Sequence, residues 1–398
     1  MERRAWLCAA IICGAVLTEP CSALCLRRDA GQANRNRIIF MPENQTTDAS
    51  QAAPIVPHKR RVRYHGSHPH RFAEKYKEHN PDRYAADVQK VLASGKTPAG
   101  SHRPICVQEI LQFLAPQPGE IAVDATLGHG GHALEILRAL LPGGRLIGLD
   151  VDPLELPRAE ARLRATGIPA GALVVRRTNF AGLPQVLAAE NIAAVDIVLA
   201  DLGVSSMQID NPERGFSFKH EGPLDLRMNP ARGRPASALL AAVTESDLIQ
   251  MLEENADEPH ARLIAQSIIR ARSEIPITTT KALARIIHEA LGLTRRSTDE
   301  IDTSIRRTFQ ALRIAVNDEF SALETFLRLL PDCLKPGGRA AILTFHSGED
   351  RRVKKAFQAG GQSGVYARIA HDVIRPSREE IRANPRASSA KLRWAIRA

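Results

Sequence analysis

The stretch VDATLGHGGHALEILRALLPGGRLIGLDVDP, Val123 to Pro153, decides the fold. It opens inside an apolar run, Ile121 to Thr126, of the length a short buried strand needs. A turn follows with Gly128, Gly130 and Gly131, which accept positive φ and let a ligand come close to the backbone. Ala133 to Leu141 then has amphipathic helical spacing, and Arg145 to Val151 is a second strand ended by Asp152-Pro153. Strand, glycine turn, helix and strand make a βαβ unit, and the free N–H groups at the helix start suit a carboxylate or phosphate. Asp150 stands 26 residues after Asp124, closing the second strand where an acceptor for ribose hydroxyls belongs.

Outward from this unit the alternation continues. Val107 to Leu114 reads as a helix, Pro116 to Glu120 as a turn, and Ala172 to Arg177 and Asp196 to Leu202 as two more strands. From Asn211 to about Arg306 the periodicity is helical, with segments such as Glu245 to Asn255 and Pro259 to Arg272. Phe309 to Leu330 reads as one long helical stretch, and Pro336-Gly337-Gly338 turns into an apolar strand, Ala340 to Phe345. The predicted architecture is an α/β, Rossmann-like, doubly wound sheet interrupted by a helical insertion. Its first part spans 101–210, the inserted domain 211–306 and the second part 307–398.

The chemistry follows the strand ends. A glycine-rich turn also serves nicotinamide dinucleotides, but the spacing here is not G-x-G-x-x-G. Asp124 beside the turn would repel a pyrophosphate, whereas the ammonium of an amino-acid-bearing nucleoside would welcome it. His129 and His132 lack a third ligand close in sequence, so no metal is expected. Asn179-Phe180 after the third strand offers an amide and a ring for an adenine. The segment DLGVSSMQID, Asp201 to Asp210, closes the fourth strand, placing Asp201 and Gln208 toward the crevice. A lone strand-end Asp is as often a helix cap, so the inference rests on four strand ends agreeing.

Composition sets the limits. Of the 398 residues 44% are hydrophobic and 25% charged, enough for a packed core, and the formal net charge of +10 points to a polyanionic partner. Aromatics at 4% argue against binding single strands mainly by base stacking. Four of six cysteines, Cys8, Cys13, Cys21 and Cys25, precede residue 26, which leaves Cys106 and Cys333 for a body of reduced, cytosolic type. The apolar run Ala5 to Leu17 after Arg3-Arg4 resembles a secretory signal, and an organellar leader is a further option, since residues 1–40 carry six Arg against three acids. The reading adopted is an over-extended start, with Met41 opening a polar N-terminus and the protein cytoplasmic. Residues 41–100 form a basic extension, in which His58 to Lys77 interleaves cations and aromatics as an RNA-gripping arm or a merely solvated one.

Taken together, SHRPICVQEIL (Ser101 to Leu111), DATLGHGGH, GLDVDP, TNF, DLGVSSMQID, NPERGFSF (Asn211 to Phe218), GPLDLRMNP (Gly222 to Pro230), RRTFQALRIAVNDE (Arg306 to Glu319), FHSGEDRRVKK (Phe345 to Lys355) and SSAKLRWAIRA (Ser388 to Ala398) resemble the ribosomal-RNA cytosine-N4 methyltransferases, the MraW-like family. The resemblance implies S-adenosylmethionine as cofactor and a cytidine of small-subunit ribosomal RNA, free or in the assembled subunit, as acceptor. By motif position it carries cofactor contacts to Gly130, Gly131, His132, Asp150, Phe180, Asp201 and Gln208. The chain departs from the family at Gly348, where Leu is usual, and at Leu226, where Met is usual, both away from those contacts. Asp201 is the expected acceptor for the target amine. Arg214, Phe216, Phe218, Asp225 and Arg227 are candidates for shaping the base pocket, and His346, Glu349 and Asp350 for touching the base or capping a helix. Arg351, Arg352, Lys354 and Lys355 are candidate phosphate contacts, with Lys391, Arg393 and Arg397 behind them. A silent RNA-binding assembly factor, an amino-methyltransferase with another acceptor, and a homodimeric state all stay open at this point.

Overall fold

The computed structural model describes residues 104–292 and 297–398. The readings placed on the first 103 residues, including the signal-like run, the Met41 start and the basic arm, lie outside them. In chain order the elements are α1 (Val107–Leu114), β1 (Ile121–Asp124), α2 (Gly131–Leu140), β2 (Arg145–Asp150), α3 (Glu155–Arg164), β3 (Leu173–Arg177), α4 (Leu183–Ala189), β4 (Val195–Asp201) and α5 (Ser206–Asp210). The helical stretch contributes α6 (Ala236–Ala242), α7 (Glu245–Ala256), α8 (Ala261–Glu274), α9 (Thr280–Gly292), α10 (Thr298–Asn317) and α11 (Glu319–Cys333). The chain then returns through β5 (Leu334–Thr344), α12 (Ser347–Gln362), β6 (Tyr366–Ile369), α13 (Arg378–Ala383) and β7 (Lys391–Arg397).

The seven strands form one sheet in the order β3-β2-β1-β4-β5-β7-β6. The first five run parallel, and β7 lies antiparallel between β5 and β6. Chain order reverses between β1 and β4, so a crevice opens beyond the carboxyl ends of those two strands. Both faces of the sheet are covered. Val123, Val198, Ala200 and Ile342 point into one apolar cluster with Phe326 and Leu330, while Ala122, Ile197, Leu199 and Leu343 point into the other with Ile136 and Leu137. This is the period-two alternation of a strand buried on both sides.

A third cluster belongs to the helices between β4 and β5. It joins Leu224 and Leu226 to Leu248, Leu252, Ile264, Ile268, Leu283, Ile287, Ile305, Phe309 and Leu312. Each Leu or Ile buried there contributes roughly 1.5–3 kcal/mol by leaving water. Helix α10 runs unbroken across 306–307 and packs into this cluster through Leu312, so the insertion holds the chain further than the expected limit.

Two other expectations change. The stretch Phe309 to Leu330 is broken at Asp318, whose φ of 52° is left-handed, giving α10 and α11. Asp is one of the few residues that enters that region at modest cost. The Pro336-Gly337-Gly338 turn lies inside β5 as a bulge, because Val195 pairs with Leu334 and Ile197 with Arg339. β6 and β7 add an antiparallel edge to the sheet beyond the predicted strands.

Candidate functional site

The carboxyl ends of β1 and β4 are laced together before any ligand is considered. Asp124 Oδ1 accepts the Thr126 N–H at 3.1 Å, and Thr126 Oγ1 accepts the Asp201 N–H at 2.6 Å. Beyond them the glycine turn bends with φ of 48° at Gly128 and 81° at Gly130, values an L side chain would strain. Gly131 opens α2 so tightly that a Cβ there would lie 2.4 Å from Pro104 Cγ.

These elements wall a cavity of about 620 Å³, within the range of small-molecule sites. Its lining includes Gly131, His132, Asp150, Phe180, Asp201 and Gln208, six of the seven expected cofactor contacts. Gly130 is not among the lining residues; it caps the helix, and a Cβ there would face the Leu163 side chain at 3.2 Å. Asp150 holds its carboxylate by accepting the Gly128 N–H at 2.8 Å and the Asp152 N–H at 2.9 Å, which leaves lone pairs for hydroxyls. Burial nevertheless pushes its pKa up. The Phe180 ring is steadied edge-on against Phe326, with centroids 5.3 Å apart.

Gln208 lines the cavity, yet its amide is engaged elsewhere. Oε1 accepts the Ser205 N–H at 2.8 Å in a capping box, and Nε2 donates to Asp152 Oδ2 at 2.7 Å. Asp152 also receives Arg214 Nη1 at 2.7 Å, and Arg214 Nη2 donates to the carbonyls of Arg227 and Met228. Arg214, expected in the base pocket, is therefore a buried strut tying the β2 loop to the insertion. Phe216 packs with the insertion's apolar cluster, and Asp225 pairs with Arg227 at 2.7 Å; none of the three lines the cavity.

The last strand end divides its expected cluster. Glu349 is buried and lines the cavity; burial alone would raise its carboxyl, but His346, Arg313 and the Phe345 N–H hold it below the usual range. His346 caps α12 with it. Asp350 turns away to Arg393 Nε at 2.6 Å and Lys391 Nζ at 3.2 Å. Arg393 is only 7% exposed, which corrects its reading as a phosphate contact. Arg397 likewise spends its donors on the Pro331 and Val365 carbonyls, while Arg351 pairs with Asp257 and Arg352 with Glu324, so neither stands alone.

Asp201 sits at the centre. Burial, with the Glu349 carboxylate adding to it, pushes its pKa up to about 7. Asp124, expected to greet an ammonium directly, is 2% exposed and absent from the lining; burial raises it to about 7 as well. The sequence reading missed Arg306, Arg313 and Asn317 of α10 and Glu319 and Phe320 of α11, all of which line the cavity. The signal was present: three polar residues at i, i+7 and i+11 share one face of an otherwise buried helix.

Fold and cavity together define a Rossmann-like α/β protein with a cavity of small-molecule size at its switch point. Within that class the chain belongs to the MraW methylase family, whose description matches residues 99–398. Among its relatives, Ribosomal RNA small subunit methyltransferase H 2 of Alkaliphilus metalliredigens is 55% identical over 85% of this chain and 98% of its own. Ribosomal RNA small subunit methyltransferase H 1 of Lachnoclostridium phytofermentans is 49% identical over 86% and 93%. Ribosomal RNA small subunit methyltransferase H of Symbiobacterium thermophilum is 42% identical over 74% and 96%. The activity is methyl transfer, with S-adenosylmethionine as donor. No helix among the described residues is long and apolar enough to cross a membrane.

Proposed function

We propose that this chain transfers the methyl group of S-adenosylmethionine to the exocyclic N4 amine of a cytidine in small-subunit ribosomal RNA. The observation that carries the reading is the position of Asp201, a strand-end carboxyl at the switch point that lines the same cavity as Asp150 and Phe180. The cofactor fits the residues present. Asp150 would hold the ribose hydroxyls, Phe180 the adenine, and the glycine turn before α2 the amino-acid end. When bound, the sulfonium supplies an activated methyl.

The cytosine amine is a weak nucleophile because its lone pair is delocalised into the ring. Asp201 accepts one of its N–H groups and favours the pyramidal nitrogen that attack requires. Holding the amine in line with the methyl removes roughly 7–11 kcal/mol of barrier as pre-paid entropy. The base would reach the cavity only when unstacked, and this reading assigns its reception to the lining residues of α10 and α11.

The test uses small ribosomal subunits from cells lacking this gene, S-adenosylmethionine and the purified chain, followed by nucleoside mass spectrometry. N4-methylated cytidine is expected only with the active protein. Methyl label absent from RNA, despite measured cofactor binding, would move the acceptor to another macromolecule.

A further inference from the structure

His132 Nδ1 and Asp201 Oδ2 face each other at the carboxyl end of the sheet, 3.6 Å apart. His132 Nε2 lies 2.9 Å from the Ile105 carbonyl oxygen, which can only accept, so the hydrogen sits on Nε2. In the neutral ring Nδ1 then presents a lone pair, and it lies 3.6 Å from Asp201 Oδ2. The ring itself is 7% exposed, too buried to pass this hydrogen to bulk water. The other oxygen of Asp201, Oδ1, is buried and has no hydrogen-bond partner among the described residues. With Asp201 ionised, the two are acceptors side by side, one with an unpaired buried oxygen, and they make a place where a single proton is stabilised.

The reaction produces one. As the C–S bond breaks and the C–N4 bond forms, the N4 lone pair becomes the new bond and sulfur keeps its electron pair as a neutral thioether. The nitrogen is left cationic until one of its two hydrogens departs. We infer that His132 is a positioning residue that shares this proton with Asp201, accepting a hydrogen bond at Nδ1 from the newly protonated carboxyl. The inference rests on the reading that Asp201 meets the target amine. It also gives His132 a task other than the direct cofactor contact implied by its motif position.

The surroundings agree. The titratable groups that act on the pair are Asp124 at the end of β1, Glu349 on α12, Glu380 on α13 and the Cys106 thiol. All are acidic or neutral, so none competes as a cation for the Asp201 carboxylate. Burial lowers the His132 pKa, which keeps the ring neutral and its lone pair available. Burial raises Asp201 to about 7, poised near the operating pH as a proton acceptor should be.

The experiment compares the full chain with His132→Gln and Asp201→Asn, measuring single-turnover N4-methylcytidine formation on small subunits from about pH 5 to 9, alongside S-adenosylmethionine affinity. For the unaltered protein the rate rises with pH through about 7, because Asp201 must begin as a carboxylate. His132→Gln keeps a donor for the Ile105 carbonyl but removes Nδ1. The expected result is a plateau at least ~10-fold lower and a midpoint moved to lower pH, with cofactor affinity within about 3-fold. An unmoved midpoint, at any plateau, overturns the proton-sharing role. Should His132→Gln not fold, ¹⁵N spectra of the unaltered protein decide: an Nε2–H tautomer whose Nδ1 gains a hydrogen bond as pH falls through 7 supports the pair, and an Nδ1–H tautomer sinks it. Asp201→Asn separates the two levels. Full turnover in that variant defeats the reading of Asp201 itself, whereas a dead Asp201→Asn beside an unshifted His132→Gln defeats only the inference.

Discussion

Asp124 shows how one buried carboxyl shapes both stability and site. Its folded pKa is raised from 3.8 to about 7, so the protonated form is the one the fold prefers. The stabilisation is fully present below about pH 4 and is lost as pH rises through about 7, an effect of order 4 kcal/mol at most. Asp124→Asn keeps an acceptor for the Thr126 N–H and removes the charge. Thermal melts are expected to show the variant gaining on the unaltered protein at pH 8 and not at pH 4; an equal difference at both would refute the assignment. Gly348 is a second residue whose role is steric. A Cβ there would lie 2.6 Å from Phe320 Cζ, a ring lining the cavity. Gly348→Leu should cost about 1–3 kcal/mol in urea unfolding, recovered when Phe320 is made smaller. The glycine turn was readable in sequence because positive φ is a local demand. The crowding at Gly348 was not, since Phe320 comes from another helix.

At the level of elements, Asp152 is the joint between the sheet and the insertion. It gathers Gln208 from α5 and Arg214 beyond it, and Arg214 holds the Arg227 and Met228 carbonyls. Asn317 of α10 grips the same loop, accepting the Met228 N–H and donating to the Leu226 carbonyl at 2.7 Å each. Arg214→Ala leaves Asp152 buried with one donor fewer, and a loss of about 3–5 kcal/mol in unfolding free energy is expected. Because the Asp152 N–H also fixes Asp150, the variant should bind S-adenosylmethionine more weakly. Unchanged affinity would show that the joint serves the fold alone. Spacing within NPERGFSF could mark Arg214 as special, but whether it faces a base or a carboxylate depends on Asp152, 62 residues earlier in the chain.

For the whole molecule, the net charge of +10 predicts salt-dependent RNA binding, in which exposed cations are expected to share and buried ones are not. Arg306 is exposed, lines the cavity and, among the described residues, is engaged through Nε with the Asp302 carbonyl. Arg306→Gln should flatten the slope of log affinity against log salt by about one, measured by filter binding to small-subunit RNA. Arg393→Gln should leave the slope unchanged and lower stability, because that guanidinium is buried against Asp350. A reversed pattern would mean the cations are assigned wrongly.

Sequence by itself determined the parallel βαβ core, the glycine turn, the strand-end acids Asp150 and Asp201, and the existence of a helical insertion. Each is written in local periodicity or in backbone demands that neighbouring residues satisfy. Tertiary structure decided the rest. It turned Arg214, Asp350 and Arg393 from candidate ligand contacts into internal ion pairs, carried the insertion through Leu312, and brought α10 and α11 to the cavity. It also set His132 Nδ1 opposite Asp201, two residues 69 positions apart whose meeting depends on β1 and β4 lying side by side. Pairings of that kind are fixed by strand order and packing, which no short window of sequence contains.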